Sequence, residues 1–161
     1  MASLNELLID VLDDAFDRVG WQGPMNLANT LKPLSLEQLA YTETTAGYTI
    51  WGVVLHCAYW KWVVTDLLWG HTLKAFPRSP KDFPALPGEL TEAAWRRDFD
   101  LLLEQHRLLK EAVTTFPEER WREISMPPDD PMTYAKRVYG VAAHDVYHTA
   151  QIRNMGVPEI K

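Results

Sequence analysis

The sequence contains a single cysteine, Cys57, in 161 residues. One thiol excludes an intramolecular disulfide and fits a reducing compartment, so a cytoplasmic location is expected. Positive charge is also scarce. Sixteen Lys and Arg stand against twenty-two Asp and Glu, a formal net charge of −6. Such a chain is poorly suited to releasing counterions from phosphate, which argues against direct nucleic-acid binding. Long apolar runs are missing too. The richest stretch, residues 50–69, is interrupted by His56, Lys61 and Asp66, and reads as a buried helix rather than a membrane span. Residues 1–12 lack a cationic start and are broken by Asn5, Glu6 and Asp10, so no signal peptide is expected. There is no repeat, no low-complexity segment and little strand signal.

What is present is an ordinary globular composition, 47% hydrophobic and 24% charged, with a surplus of seven Trp and five His. A chain of this length reads as one domain over residues 1–161, and it buries about 68–70% of its unfolded surface without needing disulfides. Four stretches carry helical periodicity. In the first, apolar residues from Leu4 to Val19 recur at steps of three and four, opposite Asp10, Asp13, Asp14 and Asp17, with Gly20 as the stop. The second spans about residues 50–69, between an N-cap at Thr49 and a terminator at Gly70. The third follows Pro87-Gly88 with Thr91 as N-cap, and runs along a seam of Trp95, Phe99, Leu102, Leu103, His106, Leu109, Val113 and Phe116. The fourth runs from about Met132 to Met155, after Pro127, Pro128 and Pro131 and before Gly156 and Pro158. Within the first long connection, Ser35-Leu36-Glu37-Gln38 reads as a capping box opening a short extra helix. The Pro-rich segment Phe76–Pro87 reads as an irregular ordered loop. The expected fold is an all-α four-helix bundle with long connections.

On the fourth helix His144 and His148 are four residues apart, so their side chains stack on one face. Two imidazoles at that spacing can reach one metal ion, and His56, on an apolar stripe of the second helix, is the best third ligand. Three histidines without a carboxylate leave an ion with an open position, the pattern of catalytic rather than closed structural sites. Spacing alone also fits hydrogen-bonded core histidines.

The string Val141-Ala142-Ala143-His144-Asp145-Val146-Tyr147-His148-Thr149-Ala150-Gln151-Ile152 resembles the H-D-x-Y-H-x-x-Q-I signature of the DinB-like superfamily. Thr49-Ile50-Trp51-Gly52-Val53-Val54-Leu55-His56 resembles the segment bearing that family's first histidine. The resemblance covers essentially the whole chain. It implies a four-helix bundle, often dimeric, that binds a divalent ion such as nickel or zinc through three histidines, which here are His56, His144 and His148. It further implies a metalloenzyme acting on a small-molecule substrate. One version is an S-transferase using a low-molecular-weight thiol cofactor; alternatives are a metal-dependent hydrolase and a non-catalytic stress-response protein that binds a metal or small ligand. A homodimer is expected, and the catalytic residues remain unassigned.

Around the ligands, Gln151 lies on nearly the same face as His148 and is a candidate to hydrogen-bond a ligand or substrate, or is simply a polar residue near the helix end. Trp60, one turn after His56, is a candidate wall for the open position, favouring an apolar or flat substrate. Asp145 reads either as support for a neighbouring imidazole or as an exposed or interhelical residue, and Tyr147 as a packing residue. His106 reads as a core histidine, His71 as exposed and Cys57 as a small buried hydrophobe. Trp51, Trp62, Trp69 and Trp95 on helices, with Trp21 and Trp121 in connections, read as core or dimer-interface aromatics.

Overall fold

The computed structural model describes residues 2–20, 23–42, 47–126 and 130–155. Six α-helices lie among them: α1 (Leu4–Phe16), α2 (Leu27–Leu31), α3 (Leu36–Leu39), α4 (Ile50–Leu68), α5 (Glu92–Thr115) and α6 (Tyr134–Asn154). A 3-10 helix (Glu118–Arg122) and an antiparallel pair, β1 (Ile124–Met126) and β2 (Asp130–Thr133), separate α5 from α6.

The helix ends follow local chemistry. Thr49 Oγ1 accepts the N–H of Gly52 at 2.9 Å, and Thr91 Oγ1 that of Ala94 at 3.2 Å, satisfying amides that have no partner within their helices. Ser35 and Gln38 close the capping box around α3. Gly70 follows α4 with φ 71°, a left-handed conformation that suits glycine.

Several boundaries differ from the periodicity. α1 stops at Phe16 rather than continuing to Val19: Asp17 leaves the helical region with φ −146°, Arg18 N–H donates to the Asp13 carbonyl at 2.9 Å, and Val19 is left exposed. The first connection holds a second short helix, α2, capped by Asn26. The fold is predominantly helical but not purely so: β1 and β2 pair, and Met132 belongs to β2 while Thr133 caps α6. This sheet is too short and too exposed to show a two-residue hydrophobic pattern. Trp21, Pro127, Pro128, Gly156 and Pro158 lie outside the described residues.

The four longest helices pack in a ring, α1 on α5, α5 on α4, α4 on α6 and α6 back on α1. Two apolar clusters fill it. One joins Trp51, Val54 and Ala58 of α4 to Ala94 and Leu102 of α5 and Ile152 of α6. The other joins Leu8 and Leu12 of α1 to Val64 and Leu68 of α4, Leu109 and Val113 of α5, and Val138 and Ala142 of α6. α4 and α5 enter the first cluster and leave through the second, whereas α6 runs the other way. α4 and α5 are therefore parallel neighbours, which the long connection through residues 69–91 permits.

Buried polar residues occupy the level between the clusters: His56 and Lys61 on α4, Gln105 and His106 on α5, Asp145, His148 and Thr149 on α6. The α5 seam is also rotated slightly from the one read in the sequence. Asp98 and Gln105 are buried and Leu103 is exposed. Asp98 is tolerated there because it accepts from Trp51 Nε1 at 2.8 Å and from Arg78 Nη2 at 2.6 Å.

Candidate metal centre

α4 and α6 bring the three predicted histidines together at the polar level. His56 Nε2 lies 2.9 Å from His144 Nε2, and His148 Nε2 lies 3.0 Å from the same atom. His56 and His148 are buried, and His144 is half-buried. Burial holds all three imidazoles below the ordinary histidine range. His144 falls to about 3, first through desolvation and then through its neighbours His148, His56 and Lys61.

The outer nitrogens determine the tautomers. His56 Nδ1–H donates to the carbonyl of Asp82 at 2.8 Å, and a carbonyl can only accept. His148 Nδ1–H donates to Gln151 Oε1 at 2.7 Å. Both rings therefore present lone pairs at Nε2 to the third histidine. His144 can donate a proton to only one of them, and its own Nδ1 has no partner. Three convergent nitrogens with more lone pairs than protons make a cation-binding set. Metal–nitrogen bonds of about 2.0–2.1 Å place ligand nitrogens about 2.9–3.4 Å apart, so the separations found here fit one shared ion.

The surroundings show which residues the sequence reading missed. Asp82, in the Pro-rich loop, touches His56 through its carbonyl and through Oδ1 at 3.1 Å, and its Oδ1 also accepts from Trp60 Nε1 at 2.7 Å. Phe83 stacks on His56 with centroids 3.9 Å apart. The available signal was an acid and an aromatic in a loop too rich in proline to be a mobile linker; nothing local said which helix the loop would meet. Trp60 stands edge-on to His56 at 6.4 Å, on the rim rather than inside, with 37% of its surface exposed. Gln151 orients His148. Tyr147 is 64% exposed, not packed, although its ring meets that of His148 at 5.0 Å.

Asp145 is wholly buried and paired with the equally buried ammonium of Lys61, so it is interhelical. Lys61 also stands 4.9 Å from the centroid of the Phe16 ring, linking α4 to α1 and α6 at the polar level. A charged residue within the apolar run of residues 50–69 was the visible sign that such a partner existed. One ligand atom from each of Cys57, His144 and Asp145 lies within 4.8 Å of the others, a grouping that excludes His56, as the helical angle between Cys57 and His56 implies. Cys57 is buried, which pushes its thiol well above the ordinary range and makes it inert.

His106 faces the interior, stacked on Phe16 at 3.8 Å, with Nε2 3.4 Å from Asp13 and Nδ1 unpartnered. His71 is exposed and pairs with Asp66 at 3.0 Å. Both stand apart from the cluster, which among the described residues comprises His56, His144 and His148. None of the described helices is long and apolar enough to cross a membrane.

Neither the curated proteins nor the solved structures provide a significant match to this chain. A family model described as the DinB superfamily matches residues 22–152, a span that contains all three clustered histidines. The chain belongs to the DinB superfamily.

Proposed function

We propose that this chain is a single-domain, four-helix-bundle metalloenzyme whose His56, His144 and His148 hold one divalent ion, zinc or nickel, with a coordination position left open for a small molecule. The observation that carries this reading is the convergence of three Nε2 atoms, two of them stripped of protons by the acceptors behind them. Neutral imidazoles suit both metals. An ion bound there supplies positive charge and Lewis acidity, and so favours the deprotonated form of a thiol or water molecule.

The residues divide the remaining work. Asp82 and Gln151 fix the rings of His56 and His148, leaving their lone pairs directed inward. Phe83 covers one face of His56, and Trp60, pinned by Asp82, forms part of the rim. With a thiol as co-substrate, thiolate sulfur attacks an electrophilic carbon, the sulfur–carbon bond forms, and the leaving group departs with the bonding pair. In the thiol-transfer reading, Trp60 and Phe83 give an apolar electrophile aromatic surface to lie against beside the three histidines.

Metal analysis of protein purified without a metal-affinity tag should find one divalent ion per chain, removable by chelator and lost in His144→Ala. Full occupancy in both His56→Ala and His144→Ala would refute the site. The transferase reading is measured with glutathione, bacillithiol or mycothiol and an electrophile. It fails if no rate depends on both thiol and metal.

A further inference from the structure

A cavity of about 360 Å³ lies between α4 and α6, with His144 at one end and Lys136 near the other. Its walls are predominantly apolar and aromatic, with Tyr59, Trp62 and Val63 on the α4 side and Met132 from the strand pair. Eight residues separate Lys136 from His144 on α6, which at about 1.5 Å per residue is a span of about 12 Å along the helix.

Gly140 lies midway along this span. It sits in the interior of α6, where glycine costs about 1 kcal/mol relative to alanine. Its backbone is not left-handed, and a Cβ placed there would meet no atom within 4 Å. Neither backbone conformation nor close packing therefore demands glycine at this position. What its missing side chain does provide is room in the cavity that it lines.

Most polar side chains at the cavity wall already have partners. Arg137 pairs with Asp130 at 2.7 Å and His71 with Asp66 at 3.0 Å. Lys136 is exposed, and among the described residues it forms no ion pair. The cavity thus combines an apolar body with the ammonium of Lys136, which has no anionic partner among the described residues and whose backbone lies about 12 Å along α6 from that of His144.

We propose that this cavity binds an elongated apolar monoanion, an arylalkanoate-like molecule, with its anionic group at Lys136, its apolar body over Gly140 and its far end toward His144. That such a ligand is the substrate of the metal centre rests on the function proposed above. Its binding does not, and is therefore tested on metal-free protein.

The test compares 4-phenylbutyrate with its uncharged counterpart 4-phenylbutanol by calorimetric titration at low salt. Wild-type protein should bind the anion about five-fold more tightly, the scale of one exposed charge pair, and Lys136→Met should erase that preference. Gly140→Phe should weaken both ligands at least about ten-fold by filling the cavity while leaving metal uptake intact. If Gly140→Phe loses its helical signal, Val63→Trp fills the same space from α4. Equal affinity for the two ligands in the wild type, or unchanged binding in the filled variant, overturns the proposal. Loss of metal uptake in His144→Ala bears on the metal reading alone, so the two can fail separately.

Discussion

Replacing Lys61 with Met removes an ammonium from a position of no solvent exposure and leaves the Asp145 carboxylate behind, also unexposed. Among the described residues Asp145 Oδ1 has no hydrogen-bond partner and Lys61 is the sole partner of the other oxygen, so the variant leaves the carboxylate with none of them. Burial raises the Asp145 carboxyl above its ordinary range, and Lys61 opposes that rise. Breaking a buried pair on one side costs about 3–5 kcal/mol. For a domain of this size, each kcal/mol moves Tm by about 2–4 °C, which gives a loss of about 6–20 °C. Urea titration and thermal scans followed by circular dichroism would measure it, on metal-free protein so that ligand linkage does not enter. The double variant Lys61→Met with Asp145→Leu removes both charges and should recover to within about 1 kcal/mol of wild type, because an apolar pair of similar volume needs no compensation. If Lys61→Met is within about 1 kcal/mol of wild type, or the double variant is no better than the single, the account of this pair is wrong.

Acid should act on the same polar level through His106. Burial lowers this imidazole from the ordinary 6.5 to about 4. A base with a depressed folded-state pKa leaves stability intact above pH 6.5 and removes it as pH falls toward 4, by about 3 kcal/mol at about 1.4 kcal/mol per pH unit. His106→Leu should flatten urea midpoints across that window relative to wild type, and parallel profiles for the two proteins would refute this. Gly140→Ala should raise stability by about 1 kcal/mol, since a Cβ there meets open space within a helix. A destabilised alanine variant would show that packing does require glycine at this position.

Much of the helical pattern was legible because its signals are local. Thr49, Thr91 and Ser35 cap helices by contacts to residues three positions away, and Gly70 takes the left-handed turn that ends α4. The early stop of α1 and the β1–β2 pair were not legible. The first turns on the backbone of Asp17 leaving the helical region, and the second consists of strands of three and four residues, too short to display a period. At the candidate site, the four-residue spacing of His144 and His148 showed that they share a face, but not what meets it. Asp82 and Phe83 come from a loop whose path depends on the parallel arrangement of α4 and α5.

The sequence by itself determined the helix-rich character, the caps, the acidic balance and the three histidines, because periodicity, end chemistry and motif spacing need no knowledge of distant contacts. Only the tertiary structure decided that Lys61 and Asp145 neutralise each other, that Trp60 stands on a rim, and that Asp82 turns the His56 imidazole inward. Each of these is a meeting of groups far apart in the chain or on facing helices. Their energy depends on burial and on distances of a few ångströms, which no local pattern encodes.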